Sequence, residues 1–247
     1  MPLSLRQRIS AGHQGVDQHQ TASTGGFAAR FGDGIAQMHS FLSITPIILA
    51  AGDSTRMGYP KALLPIGAFT FLTRILETAR RVGLAEPILI LGKTAEIIRP
   101  GIRDWPAVVR INPDPDRGQL SSIQLGLSSV RPSAQAGMIW PVDQPAVSED
   151  LVRNLARLFI GSAPLIVFPK YGTRRGHPAI FHRNIFHEFM EASLEEGPKS
   201  IIWRHQKDSA ELLTDEPAVV QDIDTPVEYE ALTGESLETA LKRSRRR

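Results

Sequence analysis

The sequence predicts an α/β fold in three layers, with a mostly parallel sheet between two layers of helices. Short, continuous apolar runs alternate along the chain with segments of helical periodicity, the pattern of strands buried on both faces and joined by crossover helices. The loops richest in Gly, Asp, Arg and Lys each follow an apolar run, and ligands in such sheets bind beyond the carboxyl ends of the strands. At 247 residues and 42% hydrophobic content the chain can bury a sizeable core.

The elements follow in order. Ile47–Ala50 reads as the first strand. Phe71–Val82 places Leu72, Ile75, Leu76 and Ala79 at helical spacing. Pro87–Leu91 reads as a strand ending at Gly92, and Val108–Ile111 as one ending at Asn112-Pro113. Leu120–Val130 repeats apolar residues at three- and four-residue steps and reads as a helix. Met138–Val142 is a strand. Ser148 is a good N-cap, with Leu151, Val152, Leu155 and Leu158 as the buried stripe of the helix behind it. Leu165–Phe168, Ala179–Phe181 and Val219–Ile223 read as strands, and Pro226 opens a final helix.

Composition sets limits. The chain has no cysteine, which excludes disulfides, thiolate metal sites and cysteine nucleophiles, and is compatible with a cytoplasmic location. No apolar run is long enough to span a membrane, and the N-terminus lacks the basic-then-apolar order of a secretory signal. The net charge is +2, but residues 242–247 are Lys-Arg-Ser-Arg-Arg-Arg, so the body of the chain is net negative. Such a tail reads as a solvated end rather than a nucleic-acid site. Residues 1–37 are rich in Gly, Gln, His, Ser and Thr, lack sustained periodicity, and read as a flexible extension. The expected organisation is an extension over 1–41, one α/β domain over 42–234, and a basic tail over 235–247.

The chemistry concentrates in Leu49-Ala50-Ala51-Gly52-Asp53-Ser54-Thr55-Arg56-Met57-Gly58-Tyr59-Pro60-Lys61. Ala50, Ala51 and Gly52 carry little or no side chain, so phosphate can approach the backbone, and successive N–H groups in such a turn form an anion-binding concavity. Arg56 and Lys61 add positive charge. Neither the Walker A spacing nor a Gly-x-Gly-x-x-Gly fingerprint occurs in this loop. A turn with merely solvated charges is the plainer alternative; the density of small and basic positions favours phosphate.

Asp143, in Trp140-Pro141-Val142-Asp143-Gln144-Pro145, stands at a strand's carboxyl end. It is placed to hold Mg2+, which takes one or two protein carboxylates and leaves other positions to phosphate and water; a turn-forming Asp is the alternative. Asp222 and Asp224 lie in Asp222-Ile223-Asp224-Thr225-Pro226, where either one could complete a metal site, and where Asp224 or Thr225, with Pro226 at the first helical position, could start a helix. Gly118 precedes Gln119-Leu120-Ser121-Ser122, where a helix N-terminus favours negative or polar ligand groups; Ser121 and Ser122 are nucleotide-contact or ordinary capping candidates. His177, in Arg174-Arg175-Gly176-His177-Pro178, precedes a strand.

Leu49–Lys61 resembles the signature loop of the small nucleotidyltransferases, and within them the molybdenum cofactor cytidylyltransferase group. Gly118–Gly126, Trp140–Pro145, Arg175–Phe181 and Asp222–Tyr229 agree in order, so the resemblance covers about residues 46–232. It implies a Rossmann-like nucleotidyltransferase fold and transfer of a nucleotidyl group from a nucleoside triphosphate, with CTP as donor, molybdenum-loaded molybdopterin as acceptor and Mg2+ as metal. By resemblance, Asp143 and Asp224 are the metal ligands and Arg56, Lys61 and Asp143 the catalytic set. Leu49, Ala50, Ala51, Gly52, Gly118, Ser121 and Ser122 face the nucleotide, and His177 faces the acceptor. A cofactor-receiving enzyme is an implied partner. Ala51 stands where guanylyl-transferring relatives commonly carry a second Gly, which leans toward cytidine. The chain departs from the group at Glu196-Gly197-Pro198-Lys199-Ser200-Ile201, where a Gly-Asp-x-Gly-Ala-Arg stretch is usual. This departure bears on the acceptor, and leaves a sugar or alcohol phosphate, or a delivery role with little turnover, as alternatives.

Overall fold

A computed structural model describes residues 41–195 and 197–244. The chain order is β1 (Ile44–Ala50), β2 (Pro65–Ile66), β3 (Phe69–Thr70), α1 (Phe71–Val82), β4 (Ile88–Leu91), α2 (Ala95–Ile98), β5 (Val108–Ile111) and α3 (Gln119–Ser128). Then come β6 (Ala136–Pro141), α4 (Glu149–Ser162), β7 (Ile166–Tyr171), β8 (Arg174–Arg175), β9 (Ala179–His182), α5 (Phe186–Glu191), α6 (Lys199–Arg204), β10 (Ser209–Leu213), α7 (Pro226–Thr233) and α8 (Leu237–Ser244).

The main sheet runs β10-β7-β9-β6-β1-β4-β5, with β8 beside β7. β1 pairs in parallel with β4 and β6, β4 with β5, and β7 with β10. β9 runs antiparallel between β6 and β7. The expected mostly parallel sheet is therefore present. The chain moves from β1 outward through β4 to β5, then returns to place β6 on the other side of β1. That reversal is a topological switch point, where the carboxyl ends of the strands open a crevice.

Two buried clusters sandwich the sheet. In β1, Ile44, Ile48 and Ala50 enter one cluster, while Ile47 and Leu49 enter the other, as alternation of strand side chains requires. The first cluster is covered by α1 and α4, the second by α3, α5 and α6. α1 buries Phe71, Leu72, Ile75, Leu76, Ala79 and Val82, each large apolar side chain contributing about 2 kcal/mol. Its limits match the periodicity because its ends are locally fixed. Thr70 Oγ1 accepts the Thr73 N–H at 3.2 Å, Thr73 Oγ1 accepts the Thr70 N–H at 2.8 Å, and Gly83 closes the helix at φ +85°. Ser148 caps α4 as expected, accepting the Leu151 N–H at 3.1 Å.

Three expectations need correction. Leu158 is only partly buried, and Ala156 and Phe159 complete the α4 stripe instead. Val219–Ile223 is not a strand. Residues 217–220 form a 3-10 turn started by Pro217, and this segment's backbone bonds serve loops: Val219 O accepts the His177 N–H and the Ile223 N–H donates to Asp143 O, at 2.8 and 3.0 Å. The sheet edge is instead β10, whose Ser-Ala-Glu-Leu-Leu lacks β-branched residues. The C-terminal segment is helical over 237–244: Ala240 is buried, and Lys242 and Arg243 pair with Glu238 and Glu235 at 2.5 and 2.6 Å. Residues 1–40 and 245–247, which carry most of the expected extension and the end of the basic tail, lie outside the described residues. Phe41 is buried against the first cluster.

Candidate functional site

The loop after β1 folds around Ser54, whose backbone adopts φ +55°, a left-handed conformation uncommon outside Gly. Ser54 O accepts the N–H groups of Met57 and Gly58 at 3.0 and 3.1 Å, and Ser54 Oγ accepts the Lys61 N–H at 3.1 Å. One serine thus sets the position from which Lys61 reaches inward. Gly92, at the end of β4, lies against the same loop: a Cβ there would stand 2.3 Å from Ala51 O.

The Asp143 loop is braced on three sides. The Val142 N–H donates to Leu49 O at 3.0 Å, tying the end of β6 to β1. The buried Trp140 donates its indole N–H to Gln144 O at 3.0 Å, and Gln144 Nε2 donates to Asp222 Oδ1 at 2.7 Å. Asp224 is fixed from behind by the start of α7. Glu228 accepts the N–H groups of Asp224 and Thr225, both at 2.8 Å, while Thr225 caps the helix. The two alternatives for this segment are thus divided between neighbours: Thr225 starts the helix, and Asp224 faces the site.

Lys61 joins the two carboxylates. Its Nζ donates to Asp143 Oδ2 at 3.0 Å and to Asp224 Oδ1, while Arg56 donates to Asp224 Oδ2 at 2.7 Å. Burial acts against the charge on Lys61, but Asp143 and Asp224 together outweigh it and raise its pKa above the usual lysine value. Burial raises the Asp143 pKa, and the Lys61 ammonium offsets only part of that. For Asp224 burial works upward, but Lys61 and Arg56 prevail and hold it below the usual carboxylate range.

These residues surround a cleft of about 410 Å3. Leu49, Ala50, Ala51, Gly52, Arg56 and Lys61 line one side of it. Gly118, Gln119, Ser122, Asp143 and Asp224 line the rest. Gly118, at φ +92°, precedes α3, whose N-terminus has no side-chain cap; the Ser121 N–H donates to Gly118 O at 3.2 Å, and the N–H groups of Gln119 and Leu120 are left to a ligand. Ser121 is not among the lining residues: its Oγ donates to Gly118 O at 2.8 Å and accepts from Asn112. Asn112 is buried and donates to both Ser121 and Ser122 at 2.9 Å, pinning α3 to the end of β5. Sequence reasoning marked Asn112 only as a strand end; its place just before a Pro at a sheet's carboxyl edge was the available signal. Lys93, also missed, bonds Asp116 at 2.8 Å and Asp53 at 3.4 Å.

A second cavity of about 270 Å3 adjoins the first and shares Gln119, Pro141 and Asp143 with it. His177, Arg174, Arg175 and Asp222 line it. Burial lowers the His177 pKa, against a smaller upward pull from Asp222. Arg175 is fixed by Glu211 at 2.7 Å and stacks over Phe168 at 5.1 Å. Asp143 therefore stands where two cavities meet.

Among the described residues, no group of three His, Asp or Glu side chains forms a metal cluster. The two-carboxylate arrangement nevertheless fits a phosphate-associated Mg2+ or Mn2+. Asp143 Oδ1 is buried with no hydrogen-bond partner, and a carboxylate oxygen so placed can accept a cation.

Residues 46–209 match the MobA-like NTP transferase domain. The chain belongs to that family. A molybdenum cofactor guanylyltransferase of Rhizobium rhizogenes (strain K84 / ATCC BAA-868) is 30% identical over 55% of this chain and 61% of its own. The nicotine blue oxidoreductase of Paenarthrobacter nicotinovorans is 30% identical over 56% of this chain and 70% of its own, so relatives with this sequence pattern carry more than one activity name. Among solved structures, Rv0371c of Mycobacterium tuberculosis H37Rv is 31% identical, with a TM-score of 0.69 over 78% of this chain and 97% of that one. A manganese complex of the same protein superposes at 0.64, with 30% identity over 78% of this chain and 98% of that one. This MobA-like chain is a nucleotidyltransferase of Rossmann-like α/β fold. No helix among its described residues is long and apolar enough to cross a membrane.

Proposed function

We propose that the domain over 42–234 transfers a cytidylyl group from CTP to molybdenum-loaded molybdopterin and releases pyrophosphate. The observation that carries this reading is the position of Asp143 and Lys61. A carboxylate with an orphaned oxygen stands where a phosphate-type loop and a second, His- and Arg-lined cavity meet. Donor and acceptor phosphates drawn into the two cavities converge on that carboxylate.

In the reaction, an oxygen of the acceptor phosphate attacks the α-phosphorus of the nucleotide. The bond to the bridging oxygen breaks, and pyrophosphate leaves with the electron pair. No protein nucleophile is required, so the residues position and neutralise. Lys61, Arg56 and the Ala50–Gly52 amides hold the triphosphate. Gly118 and the uncapped start of α3 border the nucleoside side with Leu49 and Ser122. His177, kept neutral by burial, and the arginines beside it orient the acceptor. Asp143 and Asp224 would hold a divalent cation, which would supply charge neutralisation to the phosphates.

Ala51 leans toward cytidine, because guanylyl-transferring relatives commonly carry a second Gly at that position. GTP is the direct competitor, since the Rhizobium relative is named a guanylyltransferase. The departure at residues 196–201 favours a second reading, transfer to another phosphorylated acceptor such as a sugar or alcohol phosphate. The test is pyrophosphate release with Mg2+ from CTP, GTP, ATP and UTP, each with and without molybdenum-loaded molybdopterin. Release from CTP only with that acceptor supports the proposal. Release from GTP alone refutes the donor assignment, and binding without release under any combination points to a delivery role.

A further inference from the structure

We infer that Glu211, on the edge strand β10, is a positioning residue of the reaction: it holds Arg175 so that the two terminal nitrogens of the guanidinium are left for the acceptor's phosphate. The inference rests on the proposed nucleotidyl transfer and adds to it the residue that aims its acceptor side.

The register of three strands assembles the contact. β8 pairs antiparallel with β7 and sets Arg175 opposite Lys170, while β10 pairs in parallel with β7 and sets Glu211 beside Phe168. Phe168 and Lys170 are two positions apart on β7 and so share a face. All four side chains therefore meet on one side of the sheet, although Glu211 is 36 positions from Arg175 in the chain. Glu211 Oε1 accepts the Arg175 Nε–H at 2.7 Å, and Oε2 accepts from Lys170 Nζ at 2.6 Å. The Phe168 ring lies under the guanidinium at 5.1 Å and is itself packed edge-to-face against Phe181. Hydrogen bonds from Lys170 and Arg175 hold the Glu211 carboxyl below the usual range, so it is a carboxylate at neutral pH.

Arg175 carries five N–H donors, one on Nε and four on the terminal nitrogens. Glu211 takes the first. Among the described residues no protein group bonds the other four, and Arg175 lines the cavity that adjoins Asp143. An edge with two terminal nitrogens can bind phosphate through two parallel hydrogen bonds. The backbone beneath is held as well. The Gly176 N–H donates to Pro169 O at 2.8 Å, and a Cβ on Gly176 would stand 2.0 Å from Val219 O. Arg174, by contrast, is exposed and bonds a carbonyl, Val220 O, at 3.2 Å, so no carboxylate aims it. Without Glu211, Arg175 and Lys170 would stand together uncompensated, and the long arginine side chain would have to be ordered at each binding event.

The test is steady-state pyrophosphate release from CTP with Mg2+ and molybdenum-loaded molybdopterin. It compares the unaltered full chain with Glu211→Ala, Glu211→Gln, Arg175→Ala and the double variant Glu211→Ala/Arg175→Ala. Glu211→Ala raises the KM for the acceptor roughly threefold to tenfold, the ordering of one long side chain that binding must then bear, and leaves the KM for CTP unchanged. In the Arg175→Ala background, Glu211→Ala adds nothing further, because Glu211 acts through that guanidinium. Glu211→Gln keeps the volume and one acceptor oxygen, so it gives a smaller rise and keeps the test open if Glu211→Ala does not fold. An acceptor KM unchanged in both Glu211 variants, a KM for CTP that rises by the same factor, or losses that multiply in the double variant overturn the inference and leave nucleotidyl transfer intact. No pyrophosphate release by the unaltered chain with this acceptor refutes the functional reading instead, and the inference falls with it.

Discussion

Gly92→Ala is a sharp test of how the fold builds the loop. The added Cβ would stand 2.3 Å from Ala51 O, 3.0 Å from Ala51 C and 3.1 Å from Ala51 Cα, while ordinary contact starts at 3.4 Å. All three atoms are backbone, so no side chain can swing aside. The loop after β1 must instead retreat from the end of β4 by about 1 Å, the difference between those distances. Overpacking of this kind costs about 2 kcal/mol, roughly 6 °C in melting temperature for a domain of this size. The effect on turnover is larger, since a displacement of about 1 Å near reacting groups costs on the order of a hundredfold. The assay is kcat/KM for pyrophosphate release beside a thermal melt. Gly126→Ala is the control: its Cβ would meet Ile47 Cγ2 at 2.3 Å, a side-chain contact inside the core rather than a contact with the loop backbone. It lowers the melting temperature with little change in turnover. If Gly92→Ala keeps full kcat/KM, the close approach of Gly92 does not set the loop and the reasoning is wrong.

Three further outcomes are expected. Lys61→Ala lowers kcat for pyrophosphate release by roughly a hundredfold to a thousandfold, measured at saturating nucleotide; equal kcat would remove Lys61 from the mechanism. Asp143→Asn weakens Mn2+ binding by at least about tenfold, read by calorimetry in the presence of CTP, and undiminished affinity would place the metal elsewhere. Glu77 governs part of the acid limb of stability. Hydrogen bonds from Arg80 and Arg81 lower its pKa from 4.5 to about 2, so its stabilisation is complete above pH 4.5 and fades as pH falls toward 2. Glu77→Gln therefore lowers the melting temperature at pH 7 and flattens its fall between pH 4.5 and 2; a melting curve unchanged across that range would contradict this.

Much of the fold was legible because its determinants are local. Phe71–Val82 carries its own capping pair, apolar stripe and terminal Gly, and its ends match the expected ones. Ser148 capped the helix it precedes, and Thr225-Pro226 opened α7. The failures also have physical causes. Val219–Ile223 is apolar enough for a strand, but Pro217 turns it and its backbone groups bond the loops of His177 and Asp143. β10 is a short edge strand without β-branched residues, and edge pairing is settled by the neighbouring strand. The packing role of Ser121 was likewise out of reach of the sequence, because the residue that bonds its hydroxyl, Asn112, stands nine positions earlier.

The sequence by itself determined the alternation of buried strands and helices, and with it the parallel sheet whose carboxyl ends carry the chemistry. It also marked the small-residue loop and the acidic residues after two apolar runs, because residue size, charge and periodicity act over a few positions. Only the tertiary structure decided that Lys61 lies between Asp143 and Asp224, which are 82 and 163 positions away in the chain. It also decided that Gly92 must be bare for Ala51 to pass and that two cavities share Asp143. Those facts depend on strand order and on side-chain reach across the switch point, and contacts at such separation are fixed by the packing of the whole sheet rather than by any segment within it.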